Sequence, residues 1–260
     1  MASSTTSLRA GSEPPNPGVE QKARPCAVDS GRERARGALQ LTPKDVGKNQ
    51  CRVRGMGYAG RVNLRDGGVM ERQDILAAEL KYLEGLDDKR RPIEEGLFAS
   101  GFASKVLDRG YLLPAELADI AYWKWYGAAT RVKRGNSDEI VRRFSAAAIA
   151  HHDDPRLAAW ILTYLYGVHT RMATAILAVL FPDEHTVMDV RAWSALEALG
   201  WTPDLKQVFG DRPAKDDFLN RCSVYELYLD VCRAKAAEFD VSLRTLDRFL
   251  YTRGTKSEES

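Results

Sequence analysis

From residue 70 onward, apolar side chains return every third or fourth position. Ile75, Leu76, Leu80, Leu83 and Leu86 form one such stripe, and residues 97–107 and 116–126 carry others. No stretch alternates apolar and polar residues with the period of two that a half-buried strand needs. The pattern predicts an all-α fold without internal repeats. Asn136 followed by Glu139 has the form of a capping box, and Asp154-Pro155 supplies an N-cap and a favoured first helical residue. Helices are expected over 137–151 and 155–164. Asp189 and Gly200 bracket another, and two more close the chain over 224–239 and 242–251.

Between these helices lies LYGVHTRMATAIL, residues 165–177, which reads as helix, tight turn, helix. Leu162 and Leu165 end the first helix on one face. Gly167 permits a positive φ, Val168 plugs the corner, and Thr170 is expected to cap the second helix. Ala173 allows close approach, and Ile176 and Leu177 complete the seam. Such a turn presents backbone N–H groups at a helix N-terminus, where a phosphate is favoured, and Arg171 adds a positive charge. Gly167, Val168, His169, Thr170 and Arg171 are therefore the candidate contacts to a nucleic-acid backbone. A plain αα-hairpin uses the same residue pattern.

The first 69 residues differ in kind. They are rich in Ser, Gly, Pro and Arg and lack apolar periodicity, so disorder is expected. An alternative is that they are not normally translated, because Asp66-Gly67-Gly68-Val69 before Met70 can be encoded by a stretch like a ribosome-binding site. Charge follows the same division, with 12 basic and 6 acidic residues up to position 69 against 26 and 30 beyond it. An acidic body excludes a protein that coats nucleic acid nonspecifically, so any DNA contact must be a local patch. The longest apolar run, near 173–181, is too short for a bilayer, and a soluble cytoplasmic monomer is expected, at the nucleoid when bound to DNA. Cys26, Cys51, Cys222 and Cys232 have no metal-binding spacing, and the four histidines match no ligand pattern, so neither metal nor cofactor is expected.

Downstream of the hairpin a single acid stands in VMDVR, residues 187–191, with Asp189 eighteen positions after Arg171. With the turn and seam, this spacing resembles the helix-hairpin-helix superfamily of base-excision DNA glycosylases, which includes endonuclease III, the adenine glycosylase and 8-oxoguanine glycosylase. The resemblance covers about 154–199. It implies double-stranded DNA as partner and Asp189 as the catalytic carboxylate at the start of the next helix. Three departures qualify what it implies. His169 replaces a turn glycine. Arg171 stands where lyase-active members carry lysine, and a guanidinium cannot form a Schiff base, so a monofunctional enzyme is implied. The four-cysteine iron–sulfur loop is missing.

The chemistry also follows from the residues themselves. Breaking an N-glycosidic bond builds positive charge on the sugar, and one fixed carboxylate can stabilise that charge or activate water. Trp123 and Trp125, in a dense aromatic segment, are the candidates for stacking on an extruded base. Arg131, Lys133 and Arg134, read as a loop, offer a second phosphate contact. The expected architecture is a two-lobed helical bundle, with 136–205 bearing the hairpin, 70–135 packed with 211–252, and a disordered end over 253–260. Two rival readings share these residues: a noncatalytic DNA-binding protein that uses Asp189 only as a cap, and a helical interaction protein without DNA.

Overall fold

The computed structural model describes residues 70–98, 101–210 and 218–255. The expected N-terminal tail, Cys26 and Cys51 lie outside the described residues. Within them the chain is all-helical, with no strand, and no helix is long and apolar enough to cross a membrane.

The order is α1 (Arg72–Glu84), α2 (Arg90–Phe98), α3 (Phe102–Arg109), α4 (Pro114–Lys124), α5 (Tyr126–Gly135), α6 (Asp138–Ala150), α7 (Pro155–Leu162), α8 (Thr170–Leu180), α9 (Val190–Leu199), α10 (Lys206–Phe209), α11 (Cys222–Glu238) and α12 (Leu243–Thr255). Helix α8 is apolar on nearly every side and is buried throughout except at Arg171, as a helix without a polar face must be. Helices α3, α4, α7 and α11 pack around it. Its Met172, Ile176, Leu177, Val179 and Leu180 join Ile75, Leu117, Ile120, Leu162, Leu196, Leu229 and Leu250 in one core, and each such side chain contributes about 1.5–3 kcal/mol on leaving water.

Helix α12 lies across α1 and α9. Its crossing with α9 is close: a Cβ on Gly254 would stand 2.1 Å from the Arg191 carbonyl oxygen. Only a residue without a side chain fits there.

Several boundaries differ from the sequence expectation, each for a local reason. The stripe over 97–107 is divided between α2 and α3, and Gly101 precedes α3 with φ 123°. The stripe over 116–126 stops at Trp125, which is extended with φ −160° and ψ 111° and separates α4 from α5. Arg131, Lys133 and Arg134 lie within α5 rather than in a loop. Ala128 and Val132, four positions apart and both buried, give that short helix an apolar seam.

The capping residue of α6 is Ser137, whose Oγ accepts from the Ile140 N–H at 3.4 Å. At the hairpin, His169 occupies the cap position without a side-chain bond, and Thr170 is the first helical residue. The Thr170 hydroxyl instead donates to the Asn220 carbonyl at 2.6 Å. Helix α12 runs through Thr255, three residues into the expected tail.

Candidate active site

Asp189 is the N-cap of α9: its Oδ1 accepts from the Ala192 N–H at 2.9 Å. This half of the expectation is a plain structural fact, and such a cap contributes about 1 kcal/mol. Residues 185–188, outside any helix, lead to it, and Asp189 itself is extended with φ −144° and ψ 177°. Two neighbours pin that approach, since the Met188 N–H donates to Thr174 Oγ1 at 3.1 Å and the Tyr228 hydroxyl donates to the Val187 carbonyl at 3.0 Å. Helix α8 therefore positions the aspartate as well as forming the core.

The second oxygen has a partner absent from the sequence reading. Lys124 Nζ, in the last turn of α4, donates to Asp189 Oδ2 at 2.6 Å, and both side chains are about one-sixth exposed, at 16% and 17%. Burial opposes the charged form of Asp189, but the Lys124 ammonium and the Ala192 N–H outweigh it and hold the carboxyl below the usual range. Asp189 is ionised at neutral pH.

The pair lines a small, partly open cavity of about 80 Å³ together with Tyr82, Trp123, Arg244, Asp247 and Tyr251. Asp247 is a second carboxyl in this cavity. Burial raises it to about 6, against the opposing charge of Arg244, and Asp189 pushes in the same direction as burial. Trp123 is fixed by its indole N–H, which donates to Glu94. Glu94 is 2% exposed and is held by Arg244, by Arg248 at 3.0 Å and by the Tyr82 hydroxyl at 3.1 Å. Burial works against its charge, yet the two guanidinium groups keep its carboxyl below the usual range.

Trp123 and Lys124 also line a larger groove of about 700 Å³ with Lys89, Arg90, Trp125 and Tyr126. The sequence candidates Trp123 and Trp125 thus have different surroundings. Trp123 faces both spaces, whereas Trp125 is 58% exposed on the groove alone.

A third concavity, of about 670 Å³, lies at the turn between α7 and α8, lined by Arg156, Trp160, His169, Thr170 and Arg221 among others. Gly167 has φ 80°, the left-handed conformation the turn requires. The turn is clamped from outside by Asn136, whose Oδ1 accepts from the Tyr166 N–H at 2.8 Å and whose Nδ2 donates to the Tyr166 and Val132 carbonyls at 3.0 and 2.8 Å. Gly135 makes that contact possible, for a Cβ there would stand 2.0 Å from the Tyr166 ring. Val168 is buried at the corner, and Arg171 is exposed on the first turn of α8.

Arg156, Arg221, Lys124 and Asp247 were not candidates from sequence. Arg156 stands in the first turn of α7, at the end of that helix away from the turn, and reaches the concavity along the helix face; the others are brought in from distant helices, with no local signal.

Among the described residues, His152, Glu184 and His185 come close enough to hold a cation, with ligand atoms within 4.8 Å of one another. Both ring nitrogens of His185 are already engaged, Nδ1 with the Tyr225 hydroxyl at 2.9 Å and Nε2 with the His152 carbonyl at 2.9 Å. Burial lowers His185 to about 4, so it is neutral and serves as a buried brace. No protein-family model, no curated protein and no solved structure matches the chain.

Proposed function

We propose that the protein is a monofunctional DNA glycosylase of the helix-hairpin-helix kind. The observation that carries this reading is an ionised, largely buried carboxylate at a helix N-terminus, 18 positions after Arg171 of a glycine-turned helical hairpin and facing a cavity that adjoins an aromatic groove. Asp189 would stabilise the positive charge that develops on the sugar as the base leaves, or orient water toward it. The 80 Å³ cavity is too small for a nucleobase. It accommodates water and the edge of the sugar, while the base lies in the groove against Trp123.

In this reading Lys124 has two positions. It holds Asp189 ionised before DNA binds, and it lines the groove as well as the cavity, within reach of a strand's phosphate. Moving to the phosphate would leave the carboxylate to the cationic sugar. Duplex DNA would be gripped at the hairpin turn, where the first N–H groups of α8 meet Arg156, Arg171 and Arg221.

A second reading is favoured by one observation: both Asp189 oxygens are already bonded, one to a capping N–H and one to Lys124. On that reading the aspartate is structural and the protein binds DNA without cleaving it. Duplexes carrying a panel of damaged or modified bases, scored for alkali-labile abasic sites, separate the two. Labile sites from the natural chain and none from Asp189→Asn support the glycosylase; salt-sensitive binding by both with no abasic sites supports the binder.

A further inference from the structure

The groove beside the candidate active site is larger than one nucleobase requires, since about 700 Å³ lies in the range of sites for drug-sized ligands. Its walls have a particular chemistry. Trp125 and Tyr126 are 58% and 73% exposed, an unusual cost for two large rings on adjacent residues. Neither ring is loose. The Trp125 indole lies over Gly127, where a Cβ would stand 3.2 Å from the ring, and the Arg131 guanidinium stacks on it at 5.4 Å. Tyr126 meets Tyr122 edge to face at 5.0 Å.

Positive charge surrounds these rings. Lys89, Arg90 and Lys124 line the same groove, and the one acid in the lining, Asp87, accepts from the Lys89 and Arg90 backbone N–H groups at 3.0 and 2.7 Å. Asp87 thereby holds the backbone of these two residues at the entry to α2 and spends its acceptor there. Preset aromatic faces interleaved with cations are what unpaired nucleotides need, because every base has a face to stack and every phosphate a charge to neutralise. A protein partner would favour an interface centre depleted of charge.

We infer that this groove binds unpaired nucleotides, and that the strand acted on at Asp189 is single-stranded DNA or a locally opened stretch of duplex. The inference rests on the reading above for DNA as the ligand. It goes beyond that reading in placing bases on Trp125 and Tyr126 and in naming an unpaired strand as the preferred form.

The test uses the full chain with a 12-nucleotide oligothymidylate and a blunt duplex of the same length, read by intrinsic tryptophan fluorescence and by anisotropy at two salt concentrations. Trp125→Ala and Tyr126→Ala both remove exposed rings, so the fold is retained. The single strand should bind at least about 10-fold more tightly than the duplex, quench the tryptophans, and lose about 10-fold in affinity in each variant. Equal affinity for the two probes, or single-strand binding unchanged in both variants, would overturn the inference and leave the glycosylase reading standing. Absence of binding to either probe would overturn both.

Discussion

Lys124 Nζ and Asp189 Oδ2 lie 2.6 Å apart, joining the end of α4 to the start of α9 across 65 positions of sequence. The bond ties the aromatic segment to the carboxylate. It also favours the charged form of Asp189 against the cost of its burial.

Replacing Lys124 by Met should leave Asp189 with its capping N–H but without its counter-charge, so its pKa rises toward and past the ordinary carboxylate range. The acid limb of kcat/KM, which reports the free enzyme, should move to higher pH, and the limb of kcat should move less. A profile of base release between pH 4 and 8 checks this. Coincident acid limbs for Lys124→Met and the natural chain would remove Lys124 from the mechanism.

Charge at the hairpin groove should appear in the salt dependence. Arg156→Ala and Arg221→Ala should each weaken duplex binding at low salt and reduce the slope of log affinity against log salt by about one. Neither should change the rate of base release at saturating DNA. A slope unaltered in both variants would place the duplex elsewhere.

Glu94 gathers two arginines, an indole and a phenol at 2% exposure. Glu94→Gln should cost about 3–5 kcal/mol in urea denaturation, because it strands buried positive charge. It should also blue-shift or red-shift tryptophan emission by releasing Trp123. A loss below about 1 kcal/mol would mean that water reaches the cluster.

His185 supplies a pH test with a definite sign. Its folded pKa, about 4, lies below the ordinary value of 6.5, so the folded state binds fewer protons than the unfolded one between those limits. The stability that this histidine contributes is complete above pH 6.5 and is lost as pH falls toward 4. Asp247, raised to about 6, acts in the opposite sense over an overlapping range, so the measurement must be a difference. The stability gap between the natural chain and His185→Gln should shrink by about 3 kcal/mol from pH 7 to pH 4. A constant gap would show that His185 can accept its second proton without unfolding.

The Gly135 and Tyr166 contact calls for a double-mutant cycle. Gly135→Ala should destabilise the protein by about 1–3 kcal/mol and weaken duplex binding, because the ring must leave its place against α5. Adding Tyr166→Ala, which removes an exposed ring, should recover most of the stability. Additive losses would mean that the clash is relieved by the backbone rather than by the ring.

The helical class was legible because periodicity is a local property. Asp189 and Gly200 marked α9 correctly for the same reason: a cap needs only its own neighbours. What sequence did not show arises from packing. Trp125 breaks a stripe that reads as continuous helix, and α5 packs on α4 with Ala128 and Val132 buried in the core. Asn136 has the type and spacing of an N-cap, yet its side chain is spent on Tyr166, 30 positions away. Lys124 carries no local mark at all; its partner is fixed only when α4 meets α9.

Arg131 links the hairpin turn to the exposed indole of the aromatic groove. Its side-chain stem packs 3.4 Å from where a Cβ on Gly167 would be, while its guanidinium lies on the Trp125 ring. One side chain therefore spans from the hairpin turn to the exposed indole, like the bar of a gauge. A strand seated at the turn would meet the ring at a set number of nucleotides along its length. Which sugar comes to rest over Asp189 would then be decided by counting, before any base is recognised.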